Sequence, residues 1–362
     1  MPSSLRFATE GGADPGRLAF NKKNKESTMN HRRGIRSLCR VALAVAAVGL
    51  SSTLLAAEEV KIGFLVKQAE EPWFQTEWAF AEKAGKDKGF KVIKIAVPDG
   101  EKTLSAIDSL AANGAKGFVI CPPDVSLGPA IVAKAKLNDM KVIAVDDRFV
   151  DASGKFMEDV PYLGMAAFEV GQKQGAAMAA EAKKRGWDWK ETYAVINTFN
   201  ELDTGKKRTD GSIDALKKAG MPDDHILTTA LKTLDVPGSM DSTNSALVKL
   251  PSGAKNLIIG GMNDNTVLGG VRATESAGFK ADNVIGIGIN GTDAIGELKK
   301  PHSGFFGSML PSPHIEGYKT AEMMFEWVTT GKEPPKYTAM DEVTLITREN
   351  FKQELEKIGL WN

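Results

Sequence analysis

The chain has 362 residues, 46 of them basic and 46 acidic, with two cysteines, which is length enough for two domains with separate cores. Residues 1–57 hold nine Lys/Arg and three Asp/Glu, so the rest of the chain carries 37 basic and 43 acidic residues, a balance that argues against a nucleic-acid partner. Cys39 lies inside a segment with the marks of a cleaved signal, which leaves Cys121 alone and excludes an intramolecular disulfide from the mature chain.

Residues 29–57 read MNHRRGIRSLCRVALAVAAVGLSSTLLAA. Arg32, Arg33, Arg36 and Arg40 form a basic start, residues 41–55 an apolar run shorter than a comfortable membrane span, and Ala56 and Ala57 a small-residue end. This pattern predicts a secretory signal cleaved near Ala57 and a periplasmic mature protein. The polar leader 1–28 would hinder such a signal, so translation is expected to start at Met29.

Beyond residue 57, short apolar runs recur: KIGFLV (61–66), KVIKIAV (91–97), GFVIC (117–121), KVIAV (141–145), YAVINT (193–198), NLIIGG (256–261), VIGIGI (284–289) and GFFGSML (304–310). Segments of helical period separate most of them, as with Phe74, Trp78, Ala81 and Gly85. Continuous apolar strands alternating with helices predict α/β architecture: two doubly wound parallel-sheet domains with a ligand cleft between them. A long helix is expected over 165–185, a late one over 314–330, and a last strand at VTLIT (343–347).

Open parallel sheets bind ligands beyond the carboxyl ends of their strands. The apolar runs here end in polar residues: Lys67, Glu71 and Trp73 after the first; Cys121; Asp146 and Asp147; Thr204 and Arg208 after YAVINT; Asn263 and Asp264; Asn290. Both charge signs and several amides suit a neutral, hydroxyl-rich ligand whose groups both donate and accept. Trp73 lies off the apolar helix stripe, just after Pro72, and suits an aromatic platform at the cleft edge. Each residue also has a plainer role open to it. Trp78 suits the core, Asp203 or Thr204 a helix cap, Arg208 a solvated helix face, and Cys121 a buried thiol. GIGING (286–291) matches G-x-G-x-x-G, but its first two glycines fall inside the apolar run and no acidic residue stands at the spacing a dinucleotide site needs.

The stretches GFLVKQAEEPWFQTEW, IKIAVPDGEKTL, VIAVDD, NELDT, GMNDNTVLGGVRATE, GIGING and MLPSP together resemble the periplasmic arabinose-binding family of ABC-importer subunits, over nearly all of residues 58–360. The resemblance implies sugar ligands at Lys67, Glu71, Asp146, Asp147, Arg208, Asn263 and Asn290, a stacking ring at Trp73, and a pocket lined by Phe74, Met165 and Thr204. It implies L-arabinose as ligand, with D-galactose and D-fucose as alternatives, and no catalytic residue, cofactor or metal. It also implies a monomer that delivers sugar to a membrane permease, and leaves a chemoreceptor open as a second reader. Chain crossings are implied near Ala167, Ser312 and Asp341. They divide the mature chain into 58–167 plus 313–341 and 168–312 plus 342–362. The competing classes are a carbohydrate-processing enzyme using Asp146, Asp147 and Glu71, and a sugar-responsive regulator of the same fold.

Overall fold

A computed structural model describes residues 59–312 and 314–361; the expected signal and leader lie outside the described residues. In chain order the strands are β1 (Lys61–Val66), β2 (Lys91–Ala96), β3 (Gly117–Ile120), β4 (Lys141–Val145), β5 (Tyr162–Met165), β6 (Thr192–Thr198), β7 (Ile226–Ala230), β8 (Asn256–Gly261), β9 (Val284–Ile289), β10 (Phe305–Pro311), β11 (Tyr337–Met340) and β12 (Val343–Thr347). The helices are α1 (Pro72–Lys88), α2 (Gly100–Ala112), α3 (Gly128–Leu137), α4 (Ala167–Lys184), α5 (Asp203–Lys218), α6 (Val236–Leu247), α7 (Asp264–Ser276), α8 (Ile295–Leu298), α9 (Thr320–Thr330) and α10 (Phe351–Lys357). A π-helical turn, Ile315–Lys319, leads into α9.

The strands form two six-stranded sheets, ordered β11-β5-β4-β3-β1-β2 and β12-β10-β9-β8-β6-β7. Every pairing is parallel except β12, which runs antiparallel to β10. Each sheet is an α/β domain with apolar packing on both faces. In β1, Leu65 turns to the cluster of Phe118, Ile120 and Ile107, while Phe64 and Val66 turn to that of Trp78, Val119 and Ile143. The second sheet divides in the same way, with Ile196 and Ile258 on one face and Val195 and Leu257 on the other. This two-sided burial is why the central strands read as unbroken apolar runs. Edge strands depart from the rule: β2 and β7 are only partly buried, and β7 and β11 carry too few apolar residues to announce themselves in the sequence.

The chain passes between the sheets three times. β5 ends in the first sheet at Met165 and α4 begins at Ala167 against β9 of the second. β10 ends in the second at Pro311, and the π-helical turn packs on α1. β11 ends in the first at Met340, and β12 begins in the second at Val343. In both sheets the strand order reverses beside the first strand, between β1 and β3 and between β6 and β8. The polar residues at the strand ends leave the sheets around these two reversal points, where α/β sheets hold ligands.

α4 and α5 pack so closely that a Cβ on Gly171 would lie 2.0 Å from the Arg208 carbonyl oxygen, and one on Gly211 would lie 2.1 Å from that of Phe168. The contact fixes the backbone from which Arg208 reaches the cleft. Gly171→Ala is therefore expected to lower stability by about 1–3 kcal/mol, the range for overpacking, and to displace Arg208. Urea unfolding of the unliganded protein checks this, and an unchanged midpoint would contradict it.

Candidate functional site

The site starts from two adjacent acids. Asp146 and Asp147 directly follow β4, and Asp146 holds φ 62°, a left-handed conformation unusual for a non-glycine residue. Such backbone persists where surrounding contacts over-determine it. Here Asp146 N–H donates to Leu163 O (3.1 Å), and the Tyr162 hydroxyl donates to Asp146 O (3.0 Å). The turn keeps both carboxylates at the strand end, with Asp147 only 1% exposed.

Two buried carboxylates side by side repel one another unless cations and donors surround them. Lys67, just after β1, donates to and ion-pairs with Asp147 Oδ2. From the other domain, Thr204 Oγ1 donates to Asp147 Oδ1 at 2.7 Å. Arg208 Nη2 reaches Asp146 Oδ1 at 3.4 Å while its Nη1 donates to Met262 O at 3.1 Å. Thr204 and Arg208 lie one turn apart on α5, so one helix face supplies both contacts. Cys121 Sγ, at the end of β3, lies 3.7 Å from Asp146 and 3.8 Å from Asp147.

Charge follows from this packing. Burial works to raise Asp147, but Lys67 and the Thr204 hydroxyl outweigh it and hold its carboxyl below the usual range. Burial and Asp147 push Asp146 upward against Arg208 and Lys67. Burial opposes the charge on Lys67, yet Asp147, Cys121 and Asp146 together hold its ammonium above the ordinary lysine value. Burial pushes the Cys121 thiol well up. Donor atoms of Cys121, Asp146 and Asp147 lie within 4.8 Å of one another, as metal ligands would. With the thiol held protonated and the Lys67 ammonium already among the carboxylates, this donor set does not suit a divalent ion.

The remaining expected residues are held by contacts of their own. Glu71 precedes α1, accepts a hydrogen bond from Gln68 Nε2 (2.8 Å), and is pushed up to about 7 by burial and by Asp293 of the other domain, against Lys67. Lys67 Nζ lies 5.9 Å from the centre of the Phe74 ring. Met165 ends β5 in the first sheet yet packs in an apolar cluster of the second domain. Asn263 caps α7: its Oδ1 accepts from Thr266 N at 3.0 Å, which leaves its amide N–H groups to offer elsewhere. Asn290 leaves β9 with φ 112° and its backbone N–H on Met309 O. Sequence alone separates Trp73 from Trp78 as edge and core. In the structure both are buried, Trp73 at 3% and Trp78 at 8% exposure, and both belong to one apolar cluster with Phe74.

Other residues shape the site from behind. Asp264, wholly buried, accepts from Ser308 Oγ, from Gly291 N (2.8 Å) and from Ala294 N (3.2 Å), and thereby ties the Asn290 turn to α7. Gly288 makes room for it, since a Cβ there would lie 2.1 Å from its carboxylate; this is the packing reason for a GIGING glycine. Gln174 of α4 donates to Gly261 O (3.0 Å) and Ile287 O (2.7 Å), joining the ends of β8 and β9. Asp264 is marked in the sequence by its place after β8, Gln174 only as a polar residue on a helix face. A cavity of about 760 Å³ opens beside Asp147 and Thr204, bounded by Phe156 and Tyr337 of the first domain and Asn200 and Lys207 of the second.

Two α/β domains with polar strand ends facing across a cleft define the periplasmic-binding-protein class. The family model for periplasmic binding proteins and the sugar-binding domain of the LacI family matches residues 59–354, and the chain belongs to that family. Its relatives include the L-arabinose-binding periplasmic protein of Escherichia coli K12, 61% identical over 88% of this chain and 97% of that protein. Another is the ABC transporter L-arabinose-binding periplasmic protein of Azospirillum brasilense, 41% identical over 91% and 98%. Among solved structures, an arabinose-binding protein from Geobacillus stearothermophilus is similar with a TM-score of 0.65 at 16% identity, over 82% of this chain and 99% of that one. A carbohydrate transporter solute-binding protein from Agrobacterium radiobacter, in complex with D-arabinose, is similar at 0.66 and 20%, over 84% and 100%. At such identities the structural likeness speaks for the fold alone.

Lys67→Met tests the electrostatic centre in the unliganded protein. Without the ammonium, Asp147 is an uncompensated buried charge, and stability at pH 7 is expected to fall by about 3–5 kcal/mol. The depressed Asp147 carboxyl contributes stability above its unfolded value that is lost only as pH falls through its lower folded value. In the variant that carboxyl instead favours its proton, so part of the loss should be recovered at pH 4.5. Thermal unfolding at the two pH values checks the sign. Equal losses at both would contradict it.

Proposed function

We propose that this chain is a non-enzymatic binding protein that takes a neutral monosaccharide, L-arabinose first, into the cleft and presents it to the membrane permease of an ABC importer. The observation that carries the reading is the Lys67, Asp146, Asp147, Thr204 and Arg208 cluster, built from both domains and balanced at two cations against two carboxylates. A charge-balanced set of donors and acceptors favours hydroxyl groups over an ionised ligand. The names of the two curated relatives, which the chain matches over nearly their full lengths, support L-arabinose and a transporter partner. In this reading Glu71, Asn263 and Asn290 complete the polar set, Trp73 offers its ring, and Phe74 and Met165 close the apolar side.

Adjacent carboxylates on one strand end cannot flank a glycosidic bond from opposite sides, which weighs against the hydrolase reading. No helix among the described residues is long and apolar enough to cross a membrane. The basic–apolar pattern of 29–57 supports export to the periplasm. The two domains act as the closing units, divided near residues 167, 312 and 341, and move by the hinge closure of the periplasmic binding class.

A ligand that binds only the closed native state stabilises by mass action, about 2.7 kcal/mol at a hundred times its Kd. L-Arabinose is expected to raise the melting temperature in a concentration-dependent manner, and an aldonic acid of the same carbon number to leave it unchanged. Equal shifts would overturn the neutral-ligand reading. Trp73→Ala should lower sugar affinity and, because Trp73 is as buried as its neighbours, unfolding temperature as well.

A further inference from the structure

Behind the cleft lies a second pair of acids that the site does not use. Glu77 on α1 is fully buried, and both of its carboxylate oxygens lack a hydrogen-bond donor. Glu316, on the π-helical turn, is 4% exposed, and its Oε2 lacks one too. The charge of Glu316 bears on Glu77, and Trp73, one turn earlier on α1, lies close enough to ease it. The elements carrying them touch through the backbone: a Cβ on Gly317 would lie 2.4 Å from the Glu77 carbonyl oxygen.

We propose that Glu77 and Glu316 share one proton, and that this contact positions Trp73 and α1 beside the cleft by fastening them to the chain where it re-enters the first domain. The proposal rests on the sugar-cleft reading for its consequence in binding. Two ionised, unpartnered carboxylates at this depth would repel across a medium that screens poorly. One proton turns that repulsion into a charge-assisted O–H···O bond, in which one carboxyl donates and the other accepts. The groups facing the pair from neighbouring elements leave it short of positive charge. Asp146 and Asp147 after β4 add negative charge, the Cys121 thiol after β3 is held protonated, the Tyr162 hydroxyl of β5 donates to Asp146 O, and Arg208 of α5, which favours the charge on Glu316, is also hydrogen-bonded to Met262 and paired with Asp146. On the outer side, His314 packs on the rings of Phe80 and Tyr318. Trp73 lies one helical turn before Glu77 on α1, so the proton that holds Glu77 in place also holds the indole. The charges of Asp146 and Arg208 bear on Glu316, which ties the pair to the polar set of the cleft. Short π-helical segments are frequent at functional sites, and this one presents Glu316 to α1.

Burial and then Glu316 hold Glu77 well above the usual carboxylate range, while burial and Asp146 push Glu316 up to about 8. For a raised acid, native stability is fully present below its unfolded value and is lost as pH rises toward the folded one. The window for Glu316 therefore runs from its ordinary 4.5 to about 8.

The test compares the full mature protein with Glu316→Gln and Glu77→Gln, each of which replaces the shared proton by a neutral amide donor. Melting temperature without ligand and calorimetric titration with L-arabinose are measured at pH 6, 7.5 and 9. Expected are a falling melting temperature and an affinity loss of about tenfold in the wild type, the coupling of one pKa unit. Both Gln variants should match it at pH 6 and stay flatter above. Parallel pH profiles in wild type and variants would overturn the proposal. So would failure of both variants to fold at pH 6, because a carboxamide is the neutral group closest in shape and bonding to a protonated carboxyl. Absence of sugar binding by the wild type at pH 6 would instead sink the cleft reading, while the ligand-free melting profiles still decide the proton sharing.

Discussion

Everything at the cleft depends on holding the carboxyls of Asp146 and Asp147 adjacent and out of water. Like charges at neighbouring positions on a buried strand end can persist only when the surroundings supply positive charge and donors at close range. The first domain supplies Lys67 and the backbone contacts that hold Asp146 at positive φ. The second supplies Thr204 and Arg208. The acids of one domain thus depend on donors of the other, and that dependence makes the space between the domains a site. A sugar hydroxyl, able to donate to a carboxylate while accepting from an ammonium, fits this arrangement without disturbing its charge balance.

The scaffold serves that need through strand order and close helix packing. Reversal of strand order beside β1 and β6 opens each sheet where its polar loops emerge. Gly171 and Gly211 let α4 and α5 touch backbone to backbone, so Arg208 starts from a fixed point. On the far side, Asp264 gathers Ser308, Gly291 and Ala294 around the turn that carries Asn290. Glu77 and Glu316 extend the theme behind the first domain, where acids outnumber cations and a proton replaces the missing charge.

The fold was legible wherever burial is two-sided. Runs such as KIGFLV and VIGIGI contain nothing but what a covered strand requires, save the leading lysine, and they read correctly as strands of parallel sheets. β5, β7 and β11 were not legible. They are short or lie at or near a sheet edge, where partial exposure mixes polar residues into the pattern, and the antiparallel sense of β12 is set by the last crossing and not by its own residues. At the site, residues directly after a strand could be found by position: Lys67, Asp146, Asp147, Asn263 and Asn290. Thr204 and Arg208 could be found from the helix that follows a strand, but residues turned inward deeper in a helix could not. Gln174 and Glu77 look like ordinary polar positions on amphipathic helices until the tertiary structure turns them inward. Burial does not separate Trp73 from Trp78 as helical period does: period assigns faces, but α1 is covered on more than one side by β1, the π-helical turn and α9.

The central claim is that the two domains meet around a neutral sugar held by the acids of one and the donors of both. A crystal structure of the protein grown with L-arabinose tests it most directly. One sugar is expected between the domains, with hydroxyl oxygens within about 3.2 Å of Lys67 Nζ, of a carboxylate oxygen of Asp146 or Asp147, and of the Arg208 guanidinium. A sugar bound away from these groups, or a cleft that holds it through one domain alone, would contradict the account.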